Sequence, residues 1–225
     1  MKQFADIFTG RVQHAGWSTI QASTLLEEAK LRHCSSLLVY AALELRLAIE
    51  QLMFTLVIVA KGKADQPTLR ACSRPGGLFQ VLESVTPQYV LKCRFSAMLV
   101  EFHPEIPQGA EWDIAALRRY HAAVSDFCHA HRAIRGMGRI PELWDERVAI
   151  LREVHDFLVT GLQKDTAVLS FKGATPQVLT LWRNYSGGKV TLKEVRRRFA
   201  MVKPLLVNRP SRAHAARDRA PSKRK

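Results

Sequence analysis

The stretch YAALELRLAIEQLMFTLVIVA, residues 40–60, is strongly apolar, yet it contains Glu44, Arg46 and Glu50. Its largely apolar run covers only 52–60, which is far short of the roughly 20 residues that a membrane-spanning helix needs. Charges near the centre of such a helix also cost about 2.5–3.5 kcal/mol each on insertion scales. The stretch therefore predicts a buried helix of a soluble protein, and we expect no membrane partner.

The three charges of this helix need partners. Arg46 and Glu50 are four residues apart, so they are neighbours on a helix and can pair. Glu44 lies on a second, semi-polar stripe with Tyr40 and Gln51. Because buried charges are retained only when they are paired, Arg46, Glu50 and Glu44 are predicted to form structural ion pairs that tie this helix to its neighbours.

Apolar residues recur at steps of three and four along most of the chain, which predicts further helices. The predicted helices cover 18–33, 35–61, 78–87, 111–133, 141–162 and 191–203. Ser18 is the expected cap of the first, Pro87 the expected end of the third, and Thr191 and Glu194 have capping-box spacing in the last. For the segment 88–109, the sequence is compatible with a helix and with a strand or irregular connection.

These elements predict a mainly α fold. A helical bundle over 18–162 follows an N-terminal segment, 1–17. A smaller basic C-terminal unit, 163–207, has room for short strands, and the basic tail 208–225 is expected to be disordered.

Composition favours a polyanionic partner. The net charge is +14, and residues 208–225 alone hold seven basic residues and one Asp. The four cysteines form no C-x-x-C pair, so reduced thiols in the cytoplasm are expected, with no metal and no cofactor. Glycine-rich phosphate loops, G-x-S-x-G and H-E-x-x-H are missing from the sequence, which argues against nucleotide hydrolases, serine hydrolases and zinc proteases.

The segment YAALELRLAIEQLMF, followed far downstream by LRRYHAAVSDFCHAH (117–131), resembles the HEPN-like helical proteins of bacteria over about residues 20–135. This resemblance implies a bundle of four or five helices, frequent dimerisation and, in many members, metal-independent RNA cleavage. Active members carry Arg-x(4–6)-His. Here Arg118 and Arg119 precede His129 by eleven and ten residues, which departs from that motif.

The helix 111–133 carries the candidate catalytic residues. Arg118, Ser125 and His129 share one stripe, and Arg132 lies close to it. A histidine can move the proton of a ribose hydroxyl while an arginine holds the phosphate, although a solvated basic face would give the same pattern. On the other side of this helix lie His121, Cys128 and His131, whose spacing would allow them to ligate a metal. Buried, hydrogen-bonded histidines are the better interpretation.

The C-terminal region carries the candidate nucleic-acid-binding residues. One short helix holds Arg196, Arg197, Arg198 and Lys203, and the tail adds Lys223, Arg224 and Lys225. With the segment before it, this helix resembles a helix–turn–helix in outline, although the turn NYSGGKV is longer than usual. A basic surface helix that contacts phosphates, or is merely solvated, is at least as compatible with the pattern.

The sequence therefore predicts a cytoplasmic, HEPN-like nucleic-acid-binding module of a defence or toxin-type system, with RNA favoured over DNA. Whether it is an endoribonuclease stays open, and His129 with Arg118 or Arg132 is the candidate pair. The alternative is a non-enzymatic helical protein that binds DNA or a protein partner through Arg196–Arg198. Homodimerisation and the identity of any protein partner also stay open.

Overall fold

The computed structural model describes residues 14–102, 111–128, 143–163 and 174–202. This part of the chain is built from eight helices and contains no strand, so the predicted mainly α fold is confirmed. The helices are α1 Ala15–Arg32, α2 Ser35–Lys61, α3 Gln66–Cys72, α4 Gly77–Phe102, α5 Ile114–Cys128, α6 Trp144–Gln163, α7 Pro176–Ser186 and α8 Leu192–Val202.

Helix α2 is the central rod of the bundle, and α1, α4, α5 and α6 all pack against it. Its sides are buried because apolar residues face neighbours in several directions; Leu45, Ile49, Met53 and Val57 are all completely buried. Gly62 ends the helix in the left-handed region, with φ of 72°, and its N–H bonds back to Ile58 and Val59. Residues 35–61 therefore form the predicted helix, with the predicted glycine stop.

The N-terminal helix starts one turn earlier than predicted. His14 caps α1, since its Nδ1 accepts a hydrogen bond from the Trp17 N–H at 3.3 Å. Ser18, the predicted cap, lies inside α1 and is completely buried. The error arose because the polar Ser18 faces the bundle, where its Oγ has no hydrogen-bond partner among the described residues. His33, in the left-handed region with φ of 49°, then separates α1 from α2.

The predicted stop at Pro87 is wrong. Helix α4 runs through Pro87 to Phe102, so the part of the ambiguous segment 88–109 that the structure describes is helical. Proline removes one backbone donor, but here it lies on the exposed side of the helix. Val85 and Tyr89, on either side of it, are buried on the bundle side, and this burial favours continuing the helix.

Helices α5 and α6 follow the predicted periodicity, whereas α3 was not predicted. Asp113 caps α5 through the Ala116 N–H, at 2.9 Å. Helix α6 buries Trp144, Val148 and Leu151 from its predicted stripe. The predicted extensions of these helices to 129–133 and to Pro141 lie outside the described residues. The short strands for which the unit 163–207 has room do not occur in its described part, 174–202.

The described residues up to Gln163 form one compact unit, and those from Ala174 onwards form a second. In the second unit, Thr175 caps α7 and Thr191 caps α8, the latter by accepting from the Glu194 N–H at 3.3 Å. Val195 and Phe199 of α8 are 0% and 1% exposed, so one side of this short helix is fully buried. The tail 208–225 lies outside the described residues.

Candidate functional site

A polar cluster joins α2 to α5 inside the bundle unit. Arg46 Nε lies 2.9 Å from Glu50 Oε1, one turn away on α2. The same carboxylate oxygen lies 2.9 Å from His121 Nε2 of α5. Glu50 thus bonds to the arginine on its own helix and to the histidine on a neighbouring one, so two of the three charges of the central helix contribute to a link between helices.

The third charge is not part of this cluster. Glu44 Oε2 is buried and has no hydrogen-bond partner among the described residues, and neither has Gln51 Oε1 on the same stripe. The prediction that Glu44 would be paired across the bundle is therefore wrong for this oxygen. The residue itself is only partly buried, which lowers the cost of retaining an uncompensated charge there.

The histidine of the cluster is held from several sides. Its Nδ1 lies 3.5 Å from the Ser125 Oγ, one turn later on α5, at the limit of a hydrogen bond. Its ring meets the Phe79 ring of α4 edge-on, with centroids 4.8 Å apart. Its side chain is only 13% exposed. His121 is thus the largely buried, hydrogen-bonded histidine that the sequence predicts.

The electrostatics of the cluster favour an ionised carboxylate. The hydrogen bond from His121 lowers the pKa of Glu50, burial opposes this shift, and Arg46 lowers the pKa further. Burial raises the pKa of the nearby Cys128 thiol, which Arg46 only partly offsets. Glu50 faces the Nε2 atom of His121, and the Ser125 hydroxyl faces its Nδ1 atom. Partners on both ring nitrogens can orient an imidazole for proton transfer.

Arg118, a candidate catalytic residue, lies beside this cluster. Its guanidinium forms an ion pair with Glu83 of α4 and lies over the Phe79 ring, 5.8 Å from the centroid. About half of its side chain stays exposed, so a phosphate could still reach it. His129 and Arg132, its proposed partners, lie outside the described residues.

Sequence patterns alone did not identify the cluster as a site. The pairing of Arg46 with Glu50 follows from their spacing, but His121 is 71 residues from Glu50. A histidine beside an apolar stripe signals burial without saying which acid it will contact. The Cys128 thiol interacts with Arg46. No group of three side chains that could hold a metal ion occurs among the described residues.

A second polar surface lies on α8, in the C-terminal unit. Arg196, Arg197 and Arg198 are all exposed. At 3.6 residues per turn, Arg197 lies opposite the buried Val195 and Phe199, and its two neighbours flank it on either side. Glu194 Oε1 lies 2.9 Å from both Arg197 Nη2 and Arg198 Nε. Of the other predicted nucleic-acid-binding residues, those outside the described part of the chain are Lys203, Lys223, Arg224 and Lys225.

No family model matches this chain, and comparison with curated proteins and with solved structures gave no match either. In the described part of the chain, no helix is both long enough and apolar enough to cross a membrane.

Proposed function

We propose that this protein binds nucleic acid, with RNA as its ligand, through the exposed arginine face of α8. The observation that carries this proposal is the three consecutive exposed arginines, Arg196–Arg198, which cover the part of the helix surface that the buried Val195 and Phe199 leave exposed. Guanidinium groups present several N–H donors in a planar fork that matches phosphate oxygens.

The charge of the helix and of the whole chain supports a polyanionic ligand. Helix α8 carries four basic residues against one acid, Glu194, and the whole chain has a net charge of +14. Phosphate contacts by such residues release counterions from the nucleic acid, which supplies sequence-independent affinity. Arg197 and Arg198 already share Glu194, so a bound phosphate would exchange with that carboxylate.

The resemblance to HEPN-like proteins favours RNA over DNA, and a role in a defence or toxin-type system goes with it. In the same proposal RNA cleavage, if present, would use His129 with Arg118 or Arg132. Arg118 retains exposed surface beside Glu83, which is compatible with a phosphate contact. Homodimerisation of the bundle also stays a prediction.

Duplex DNA is the second candidate ligand. Helices α7 and α8 follow each other with only residues 187–191 between them, an arrangement related to a helix–turn–helix pair. The five-residue connection is longer than the three or four residues usual in that motif. Arginines on the second helix could contact guanine edges in a major groove.

The test compares two variants that lose the same charge. In one, Arg196, Arg197 and Arg198 are replaced by Gln; in the control, the exposed bundle arginines Arg32, Arg119 and Arg152 are replaced by Gln. Fluorescence anisotropy with labelled single-stranded RNA should show at least about tenfold weaker binding for the α8 variant, since several phosphate contacts are lost. An equal loss of RNA affinity in both variants would show that only net charge matters, and it would contradict α8 as the binding surface.

The same preparations distinguish the ligand and the activity. Wild-type protein that retains duplex DNA more tightly than RNA would favour the DNA alternative. Incubation of labelled RNA with and without EDTA, followed by gel analysis, tests metal-independent cleavage. Cleavage that is lost in His129→Ala supports the ribonuclease proposal, and RNA that stays intact with the wild-type protein contradicts that part while leaving binding unaffected.

A further inference from the structure

A cavity lies within the bundle unit, away from the Glu50–His121 cluster. Helix α2 contributes Leu52, Leu56 and Val59 to its wall, and α4 contributes Tyr89 and Lys92. Trp112, just before α5, also lines it, and so do residues at the start of α1 and the end of α6. The wall is mostly apolar, which is typical of sites for small organic ligands.

One cationic side chain stands in this apolar wall. Lys92 is 9% exposed, and its Nζ donates a hydrogen bond of 2.6 Å to the Val59 carbonyl near the end of α2. Burial lowers the pKa of Lys92. An anion beside Nζ would offset this loss of solvation, because an opposite charge favours the charged form of the amine.

Hydrogen-bonding groups accompany the lysine. The Tyr89 hydroxyl accepts a hydrogen bond from the Trp112 backbone N–H at 2.8 Å, which fixes the tryptophan against α4. The Trp112 indole Nε1–H is buried and has no hydrogen-bond partner among the described residues. Leaving such a donor unsatisfied is unfavourable, so a ligand acceptor that reaches it would be stabilised.

The volume limits the ligand. The cavity measures about 190 Å³. A dry apolar cavity of about 150 Å³ is sufficient to bind benzene, so the space here matches one aromatic ring with a short polar arm.

We propose that this cavity binds a small aromatic monocarboxylate, with the ring between α2 and α4 and the carboxylate beside Lys92 Nζ. The apolar wall selects the ring, and the buried ammonium selects the negative charge. This site is separate from the nucleic-acid face proposed above, so either can fail without the other.

The first test uses the wild-type protein, phenylacetate and its neutral analogue 2-phenylethanol. The chain contains four tryptophans, so a ¹⁵N–¹H spectrum resolves four indole N–H signals, and a Trp112→Phe variant assigns the relevant one. Phenylacetate should shift the Trp112 signal saturably, while the other three indoles serve as internal references. The alcohol should bind at least about tenfold more weakly, because it lacks the charge-assisted hydrogen bond.

The second test removes the charge. Lys92→Met should weaken phenylacetate binding at least about tenfold and leave 2-phenylethanol unaffected. The matched control is Lys61→Met, since Lys61 also lies near the end of α2, where it donates to Thr68 Oγ1 at 2.7 Å, but does not line the cavity. An unmoved Trp112 signal, or equal affinities for acid and alcohol, would overturn the proposal even if Lys92→Met failed to fold.

Discussion

Glu50 contacts a residue of its own helix and a residue of a neighbouring helix through one oxygen. Its Oε1 atom lies 2.9 Å from both Arg46 Nε and His121 Nε2, so one carboxylate oxygen connects a turn of α2 with a turn of α5. About a third of the side chain remains exposed, so solvent screens part of this interaction. The residue therefore positions α5, which carries Arg118, against the central helix.

This contact predicts a defined pH dependence. His121 and Arg46 hold the folded-state pKa of Glu50 below its ordinary value of 4.5, so its stabilising contribution is present above that pH. It is lost as the pH falls through the lowered folded-state pKa. We expect Glu50→Gln to reduce the free energy of unfolding by about 1 kcal/mol at pH 5.5, a difference that shrinks towards pH 3 in urea titrations.

Glu28→Gln is the matched control for that measurement. Glu28 also pairs with an arginine four residues later, Arg32, but both belong to α1, and no ion pair links either of them to another helix among the described residues. A pH-dependent loss as large for Glu28→Gln as for Glu50→Gln would show that the link between helices adds nothing.

Replacing Glu194 should strengthen RNA binding, whereas replacing the α8 arginines should weaken it. Glu194 forms ion pairs with Arg198 and Arg197, which hold its pKa below the ordinary value, so a phosphate must compete with it. We expect Glu194→Gln to tighten RNA binding by about threefold to tenfold, because glutamine preserves the shape while removing a competing charge. Anisotropy titrations measure this directly.

A suitable control is Glu27→Gln in the bundle unit. Glu27 also contacts two basic side chains, Arg152 at 3.0 Å and Lys30 at 3.6 Å, so its substitution removes the same charge from a comparable set of contacts. If both substitutions tightened RNA binding equally, the increase would be a general charge effect, and the α8 arginines would not be the binding face.

At the scale of single elements, hydrophobic periodicity identified α2, α5 and α6, but only the first part of α4. Helix α2 was predictable because apolar residues fill nearly all its sides and Gly62 supplies the left-handed stop. Local stop signals were less informative: Pro87 lies within α4, since burial of its flanking residues outweighs one lost hydrogen bond. Ser18 shows the same limitation, because its position relative to the bundle depends on tertiary packing.

The candidate site was only partly predictable for a related reason. Residues on one helix, such as Arg46 and Glu50, can be paired from spacing alone. The contact from Glu50 to His121 requires knowing how α5 packs on α2, and a single sequence carries no information on contacts between distant segments. The cavity beside Lys92 was missed because its wall is assembled from five separate parts of the chain.

Helix α6 offers a test of packing at the element scale. A Cβ added to Gly161 would collide with the six-membered part of the Trp112 ring, so glycine is needed for this close approach. Alanine normally stabilises a helix interior by up to about 1 kcal/mol relative to glycine. Here we expect Gly161→Ala to destabilise the protein by about 1–3 kcal/mol, because the ring must move. Thermal or urea unfolding measures whether Gly161→Ala lowers or raises the free energy of unfolding.

Removing the ring should reverse that sign. In a Trp112→Leu background the collision is relieved, so Gly161→Ala should become neutral or stabilising there. A destabilisation of equal size in both backgrounds would show that the contact between Trp112 and α6 does not determine the cost.

At the scale of the whole molecule, charge is divided between two roles. Inside the bundle, Glu50 uses Arg46 and His121 as partners, so these charges serve packing. In the C-terminal unit, Arg196, Arg197 and Arg198 are exposed, and the chain retains a net charge of +14. Salt is thus expected to change the stability of the bundle unit only slightly. It should weaken the RNA affinity of the C-terminal unit strongly.

The salt dependence of RNA affinity tests the proposed function most directly. For the wild-type protein, the logarithm of the association constant should fall linearly with the logarithm of salt concentration. Replacing Arg196, Arg197 and Arg198 with Gln should make that slope shallower by about two, since each lost contact to a single strand contributes roughly 0.7. Wild-type protein that fails to bind RNA at low salt, or an unchanged slope in the variant, would contradict it.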